Sequence, residues 1–194
     1  MMIMVNEKKP RLPPGQRKIN RFPVLQHGSV AHLDRESYVL KIDGLVEKPL
    51  ELSLQDLMTM QKQEEVVDIH CVTSWSKFDM KWGGILFRKI IEMVKPKPNA
   101  KFVVAHCADD GFTTSLPLDV LADDDVLLAY EYDGKPLDDK HGGPVRTLVP
   151  KRYFYKSAKW VKRLEFVEED QLGLWERGGY SNTADPWKEE RYAL

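Results

Sequence analysis

Apolar and polar residues alternate in several short stretches of the chain, and this pattern predicts a protein built mainly from β-strands. Residues 37–52 contain two such stretches, divided by a turn that holds Gly44 and Pro49. Further stretches, in which β-branched or aromatic residues are frequent, cover 64–71, 101–107, 126–137, 145–150 and 159–169. Residues of these types fit the pleated surface of a sheet, so each stretch is expected to form a strand.

Helical spacing is confined to short segments. Residues 85–95 place apolar side chains on one helical face, and prolines that follow would end the helix. Ser53 and Asp56 have the spacing of a capping box and predict a short helix, and Pro117 predicts the first turn of another. Because strands and helices are interspersed without regular βαβ alternation, we expect an α+β fold with mixed, mainly antiparallel sheets and short helices.

Length and composition favour one domain with an N-terminal extension. Residues 1–19 hold several prolines and cations and predict an extended arm, followed by a single domain over 20–194. No stretch approaches the roughly 20 apolar residues of a membrane helix, so no membrane span is expected. The first residues lack the apolar core of a secretion signal, which predicts a cytoplasmic location. A net charge of -1 gives no general attraction to nucleic acid.

The chain has two cysteines, and each directly follows a histidine at the end of an apolar run. A zinc site made of His70, Cys71, His106 and Cys107 is disfavoured, because neighbouring strand residues point to opposite faces. Cys107 fits a small buried hydrophobic residue. The sequence "CVTSWSKFDMKWGG" after Cys71 predicts an irregular loop, where a thiolate could serve as a nucleophile or as a ligand to a soft metal.

Basic and aromatic residues are interleaved without any acid over 151–163. Such a segment can bind single-stranded nucleic acid, can hold the phosphate of a cofactor, or can form the solvated face of a strand. The near-neutral total charge argues against nucleic acid as the main partner. His141, in "KHGGPVR", is either a turn residue or a second candidate for site chemistry.

The order of these features resembles the molybdopterin-binding domain of the sulfite oxidase family, which includes the catalytic subunit of bacterial methionine-sulfoxide reductases. A strand ends at Cys71, "WGG" precedes a helix, and "LPLDVL" follows. The most specific part runs from Leu127 to Phe166, with "LAYE", "G-x-x-L", "HG-x-P-x-R", "VP" and "K-x-x-KW" in that order. The resemblance covers residues 20–180 and implies the sulfite-oxidase-type fold.

The resemblance also implies a cofactor and the residues that hold it. Cys71 would be the one protein ligand to the molybdenum of a molybdenum-molybdopterin cofactor. The pterin and its phosphate would be held by residues that match the family's contacts, namely Asn20, Phe22, Pro23, Val24, His141, Arg146, Ser157, Ala158 and Lys159. Cys107 stands where the sulfoxide-reductase branch has a threonine, so a contact with the cofactor is expected there.

The resemblance predicts an oxidoreductase that transfers an oxygen atom or two electrons to or from a small-molecule substrate, with an external electron-transfer partner. Two departures argue against sulfite as that substrate. Phe112 replaces a tyrosine of sulfite oxidases, and only Lys77 and Lys81 follow the cysteine where those enzymes carry arginines. The alternative is a binding protein that keeps the fold and holds an anionic ligand or cofactor without turnover.

Overall fold

The computed structural model describes residues 10–193. The strands are β1 Arg17–Lys18, β2 Val39–Gly44, β3 Leu50–Ser53, β4 Gln63–His70, β5 Trp75–Leu86, β6 Phe102–Cys107, β7 Thr113–Pro117, β8 Leu127–Tyr132, β9 Lys135–Pro136, β10 Arg146–Leu148 and β11 Val161–Val167. The helices are α1 Leu54–Thr59, α2 Phe87–Val94, α3 Leu118–Leu121 and α4 Leu174–Arg177, with 3-10 turns at Asp139–His141 and Phe154–Lys156.

The strands form two sheets. In the first sheet β5 is central: it pairs with β1, β4 and β8, and β8 in turn pairs with β9 and β10. The second sheet has the order β3-β2-β11-β6-β7. Only β1 with β5 and β2 with β11 run parallel, and every other pairing between described strands is antiparallel. The predicted α+β class with mixed, mainly antiparallel sheets and short helices is confirmed.

Alternation along β8 divides the hydrophobic core into two parts. Leu128 and Tyr130 belong to the larger cluster, which also includes buried residues of the second sheet and α2. Leu127 and Ala129 point to the opposite face and pack in a smaller cluster with Trp82 and Cys71. Both faces of β8 are therefore buried, and Cys71 lies on the side of the first sheet away from the larger core.

Two local predictions about strands are wrong. The segment after Cys71 is a short turn followed by the 12-residue strand β5, rather than an irregular loop. Gly83 and Gly84 lie inside this strand, where β8 approaches closely. A Cβ on Gly84 would come within 2.1 Å of the Leu128 carbonyl oxygen, so only glycine permits this approach. The stretch 126–137 is a hairpin rather than one strand, since Asp133 and Gly134 have positive φ angles of 52° and 70°.

The three predicted helices are present, but α2 begins at Phe87 rather than at Ile85, because Ile85 and Leu86 continue strand β5. Ser53 caps α1 and forms the full capping box with Asp56, as predicted. Helix α3 begins at Leu118, so Pro117 directly precedes the helix instead of lying in its first turn as predicted. Within the described residues, none of the helices combines the length and the apolar character that crossing a membrane requires.

The N-terminal segment lies along the first sheet. Arg17 and Lys18 pair with Trp75 and Ser76 as the edge strand β1, and Ile19 and Phe22 then cover the smaller hydrophobic cluster. Residues 1–9 of the predicted arm lie outside the described residues. The described part of the arm therefore contributes to the side of the sheet on which Cys71 lies.

Candidate active site

A cavity of about 260 Å³ lies beside Cys71. Segments from across the chain form its walls, and the sequence-predicted residues among them are Phe22, Pro23, Cys71, His141, Arg146, Ser157, Ala158 and Lys159. The fold thus brings together residues separated by more than a hundred positions. A concave site of this kind, with few polar groups in an apolar wall, is the usual form of a ligand-binding site.

Cys71 begins a tight turn between β4 and β5. Its amide donates to the Trp75 carbonyl oxygen at 2.8 Å, and its own carbonyl accepts from the Ser74 amide at 3.0 Å. The side chain is 8% exposed and lines the cavity. Thr73 Oγ1 donates to Cys71 Sγ at 3.2 Å. The turn therefore fixes the sulfur at the cavity wall.

Burial and charge act in opposite directions on the Cys71 thiol. Burial raises its pKa, while the hydrogen bond from Thr73 and the positive charge of Arg191 lower it. The free side chain is consequently a protonated thiol near neutral pH. A bound metal ion would have to displace that proton, because thiolate is the form that ligates metals.

Both ends of the described chain hold the turn in place. Arg191 donates from Nη1 to the Val72 carbonyl oxygen at 2.5 Å and from Nη2 to the Gly15 carbonyl oxygen at 3.2 Å. Gln16 Nε2 donates to the Cys71 carbonyl oxygen at 3.1 Å. The bonds to Val72 and Cys71 hold carbonyl oxygens of the turn, and the bond to Gly15 ties Arg191 to the N-terminal segment, so together they restrict the motion of the turn.

Arg146 is a buried cation in the cavity wall. Arg146 is 1% exposed, and its guanidinium nitrogens donate to the carbonyl oxygens of His141 at 2.7 Å and Ser157 at 2.8 Å. Its remaining described hydrogen bond also goes to a carbonyl oxygen, that of Thr147 at 3.3 Å. Burial lowers the pKa of Arg146 to about 9, so the group keeps its charge at neutral pH.

Lys159 adds a second cation to the same wall. Its Nζ donates to the Lys140 carbonyl oxygen at 3.1 Å, and the side chain is half-buried. Burial, and then repulsion from Arg146, lower its pKa to about 7. Two cations near each other whose charges are matched by carbonyl oxygens form an environment that favours an anionic ligand.

Several buried polar atoms of the cavity residues have no hydrogen-bond partner among residues 10–193. They are His141 Nε2, Trp75 Nε1 and Asp109 Oδ1. His141 contacts Asp138 Oδ1 through Nδ1 at 2.8 Å, and its ring stacks on Phe22 with centroids 3.9 Å apart. Leaving buried polar atoms unpaired is costly, so these atoms indicate a polar ligand.

Asp109 was not among the sequence-predicted site residues. It is 6% exposed and lines the cavity, and burial raises the pKa of its carboxyl group to about 6. Charges on Lys159 and His27 oppose this shift. The only sequence signal for Asp109 was the "ADD" segment after Cys107, and such a segment is as common in solvent-exposed turns as in functional sites.

Three of the residues that the resemblance implied do not line the cavity. Asn20 is exposed, and its carbonyl oxygen accepts from Lys77 Nζ at 3.0 Å. Val24 is 39% exposed. Cys107 packs against the larger hydrophobic cluster, and burial, followed by the charge of Asp109, raises its thiol pKa well above the ordinary value. Their roles at a cofactor stay predictions.

Aromatic residues from late in the chain line another part of the cavity. Tyr155, Trp175 and Tyr180 join Phe112 there, and none of the first three was predicted as a site residue. They come from the 3-10 turn Phe154–Lys156, from α4 and from the segment after it. No periodic pattern in the sequence links these segments, so only the fold shows that they meet.

The segment 151–163 is largely turned inward. Tyr153 and Trp160 are fully buried, so their rings cannot stack on the bases of a nucleic acid. Lys156 is fully buried as well and contacts Glu176, with 2.5 Å between Nζ and Oε1. Arg163 contacts Asp43 and Glu165. These contacts argue against nucleic-acid binding by the segment, and the part of it that fits the cofactor-phosphate interpretation is Ser157–Lys159, which lines the cavity.

The histidines that precede the cysteines have separate partners. His70 is buried, with Nδ1 2.8 Å from Ser76 Oγ, and His106 Nε2 lies 2.9 Å from Glu165 Oε2. Residues 10–193 contain no group of three or more His, Cys, Asp or Glu side chains that could hold a metal ion. Within these residues, the two histidines and two cysteines therefore do not form the four-ligand zinc site that the sequence disfavoured.

Comparison with known proteins adds independent findings. The family described as oxidoreductase molybdopterin binding domain matches residues 27–175. The chain is 40% identical over 188 residues to the uncharacterized oxidoreductase YuiH of Bacillus subtilis strain 168. The aligned region covers 96% of this chain and 94% of that protein. It is 30% identical over 161 residues to a protein-methionine-sulfoxide reductase catalytic subunit of Campylobacter jejuni, with 75% of this chain and 54% of that one covered.

A solved structure shows the same fold. The sulfane dehydrogenase SoxCD from Paracoccus pantotrophus superposes with a TM-score of 0.69 and 26% identity, over 79% of this chain and 43% of that chain. This chain thus spans about half of the reductase subunit and less than half of the dehydrogenase chain. Together these matches show that the chain belongs to the molybdopterin-binding oxidoreductase family of sulfite oxidases and methionine-sulfoxide reductases.

Proposed function

We propose that the protein is a molybdenum-dependent oxidoreductase in which the Cys71 thiolate is the protein ligand to a molybdopterin-bound molybdenum. The observation that carries the proposal is that Cys71 lines the same cavity as Arg146, a buried guanidinium whose described hydrogen bonds all go to carbonyl oxygens. One wall offers a soft sulfur donor and another offers charge for an anion. The cofactor would use both features: its molybdenum would bind the sulfur of Cys71, and its phosphate would bind beside the positive charge of Arg146.

The other cavity residues fit the polar pterin. Arg146 and Lys159 would hold the phosphate, since a guanidinium and an ammonium group supply the charge and the donors that phosphate oxygens accept. Asp109 Oδ1 would accept from N–H groups of the pterin, and Trp75 Nε1 would donate to its acceptors. The contacts of Asp109 and Trp75 would each satisfy a buried atom that has no partner among the described residues.

Cys71 would act as a ligand and not as a nucleophile. Its turn is held by Arg191 and Gln16, and Thr73 donates to the sulfur. These contacts would keep the thiolate in one orientation and would temper its basicity. When bound, the molybdenum would supply the two-electron redox chemistry and an exchangeable oxygen atom.

The proposed reaction is oxygen-atom or two-electron transfer on a small substrate. In the reducing direction, an oxide would take up two electrons and two protons and would release water. The electrons would come from an external electron-transfer protein that binds this chain. A cytoplasmic location stays a prediction from the sequence.

Metal and pterin analysis tests the proposal. Protein made in a host that synthesises molybdopterin is expected to contain about one molybdenum and one pterin per chain, and Cys71→Ser should lose the metal. Matched controls are Ser74→Ala in the same turn and Cys107→Ala at the other cysteine. Molybdenum-free wild-type protein that still binds an anion would instead support a binding protein without turnover.

A further inference from the structure

The cavity has a chemically divided wall. Its cations Arg146, Lys140 and Lys159 are grouped with His141, because Arg146 donates to the His141 carbonyl and Lys159 to the Lys140 carbonyl. Another part of the lining is formed by three aromatic residues that come late in the chain, with His27 beside them, 6.0 Å from Trp175. There Trp175 and Tyr180 have ring centroids 5.6 Å apart, and Tyr155 and Tyr180 are also 5.6 Å apart. We call Tyr155, Trp175 and Tyr180 the aromatic wall.

The aromatic wall is connected to the Cys71 turn. Tyr180 precedes Ser181, whose amide donates to the Arg191 carbonyl oxygen at 3.1 Å. The guanidinium of Arg191 in turn donates to the Val72 carbonyl oxygen, next to Cys71. These bonds tie the wall to the end of the cavity that holds the sulfur.

The aromatic wall is also held rigidly. Glu176, next to Trp175, is buried and accepts from Lys156 Nζ at 2.5 Å and from Thr114 Oγ1 at 2.7 Å. The Tyr155 hydroxyl donates to the Ser181 carbonyl oxygen. The three aromatic residues remain only half-buried despite these anchors. Rigid aromatic surface that stays accessible inside a cavity is suited to stacking against a flat apolar ligand.

We propose that the aromatic wall, with Phe112, selects a neutral substrate that carries a flat apolar group, such as an aryl S-oxide or a heteroaromatic N-oxide, and disfavours anionic substrates. This inference rests on the proposed molybdenum chemistry at Cys71. Phe112 offers no hydroxyl, and the cavity cations lie in the group around His141, where the cofactor phosphate would bind. The titratable neighbour of the aromatic wall is His27, 6.0 Å from Trp175, and the carboxyl group of Asp109 lies near His27, so a second anion there would meet an acidic group beside the imidazole.

The reaction that tests this selection is the reduction of an S-oxide. The S–O bond breaks, the sulfur gains two electrons, and the oxygen leaves as water after taking up two protons. Reduced benzyl viologen supplies the electrons one at a time. The substrates are methyl phenyl sulfoxide, dimethyl sulfoxide, which lacks the ring, and 4-(methylsulfinyl)benzoate, which keeps the ring and adds a negative charge.

We expect kcat/KM for methyl phenyl sulfoxide to exceed that for dimethyl sulfoxide by about tenfold, which corresponds to one good stacking contact. It should exceed that for 4-(methylsulfinyl)benzoate by about tenfold as well, because the carboxylate would have to lose its water against the aromatic wall. Trp175→Ala should remove most of this preference by lowering the value for the aryl substrate about tenfold, and Trp175→Phe should restore it to within about threefold. Phe78→Ala changes a half-buried aromatic residue outside the cavity lining and is the matched control. Binding of the product thioanisole, measured by calorimetry, should weaken in parallel.

The outcomes separate this inference from the proposed function. Molybdenum-loaded protein that reduces all three substrates equally, or none of them, overturns the inference and leaves the cofactor assignment standing. Loss of molybdenum and pterin in Trp175→Ala also overturns it, because the aromatic wall would then hold the cofactor. Protein without molybdenum, and unaffected by Cys71→Ser, contradicts the proposed function itself.

Discussion

Cys71 and Cys107 each follow a histidine at the end of a strand, and the amide of each closes a turn, with Trp75 and with Phe112 respectively. Their side chains meet different surroundings. Cys71 lines the cavity, beside a hydroxyl donor and a guanidinium. Cys107 packs against the larger core with the carboxylate of Asp109 nearby.

This difference shows that local sequence does not determine the chemistry of a cysteine. Burial raises the pKa of both thiols, but the charges around them differ: Arg191 lies near Cys71, whereas Cys107 is influenced by Asp109 and, in the opposite direction and more weakly, by Arg146. Arg191 stabilises a thiolate at Cys71, whereas Asp109 destabilises one at Cys107. For Cys71 these groups are the neighbouring Thr73 and the distant Arg191, and for Cys107 they are Asp109 in the adjacent turn and the distant Arg146.

Replacing each cysteine by serine should give the largest difference in activity between the two sites. Cys71→Ser is expected to lower oxide-reductase activity at least about 100-fold, because the hard hydroxyl is a poor replacement for a soft thiolate ligand. Cys107→Ser should cost less than about threefold, since that side chain packs outside the cavity lining. Steady-state assays with metal analysis measure both. Equal losses would show that the two cysteines act at one site.

The arginines near the two cysteines provide a second contrast. Arg191→Met removes donors to the Val72 and Gly15 carbonyl oxygens, and should lower the free energy of unfolding by about 2 kcal/mol. Arg163→Met removes partly buried contacts with Asp43 and Glu165 on the strand beside Cys107, and should cost under about 1 kcal/mol because no backbone oxygen loses its donor. Urea unfolding measures both values.

A thiol-specific reagent gives a second readout of the same pair. At equal thiolate fraction, labelling of Cys71 should become at least about threefold faster in Arg191→Met, because the turn opens more often when the Val72 carbonyl oxygen loses its donor. The comparison is made at equal thiolate fraction because loss of the Arg191 charge also raises the pKa of the Cys71 thiol. The labelling rate of Cys107 should be the same in Arg191→Met and Arg163→Met as in the wild type. Unchanged Cys71 labelling would mean that the turn is rigid without Arg191.

Much of the fold could be predicted because its signals are local. The capping box at Ser53 and the strand that ends at Cys107 depend on nearby residues, and both were placed correctly. The segment after Cys71 was misjudged because "SWSKFDMKWGG" contains polar and small residues that usually mark loops. Its strand forms since β4 and β8 pair on either side of it, which is a tertiary effect.

The site was predictable only where a family motif marks it. His141, Arg146 and Lys159 belong to such motifs and do line the cavity. Asp109 and Trp175 belong to none of the quoted motifs. Asp109 lies in an ordinary turn, and Trp175 reaches the cavity only because the buried contact of its neighbour Glu176 with Lys156 places α4 there.

Asp109 allows the smallest and most specific test of the comparison. Burial raises its pKa from 3.8 to about 6, so the folded protein favours the protonated form and loses stability as pH rises from about 4 to about 6. Asp109→Asn cannot ionise and should therefore be more stable than the wild type above pH 6. The gain should be about 1 kcal/mol, less than the full shift implies, because the carboxyl group borders a cavity that water can enter.

Urea unfolding of the cofactor-free protein at pH 4 and pH 7.5 measures this gain. The variant and the wild type should differ at pH 7.5 and agree at pH 4, where Asp109 is protonated in the folded state. The same substitution should lower the pKa of the Cys107 thiol by removing a nearby negative charge, while leaving that of Cys71 unchanged. A gain that is equal at both pH values would assign the effect to packing, and the electrostatic difference between the two cysteines would then lie with Arg191 alone.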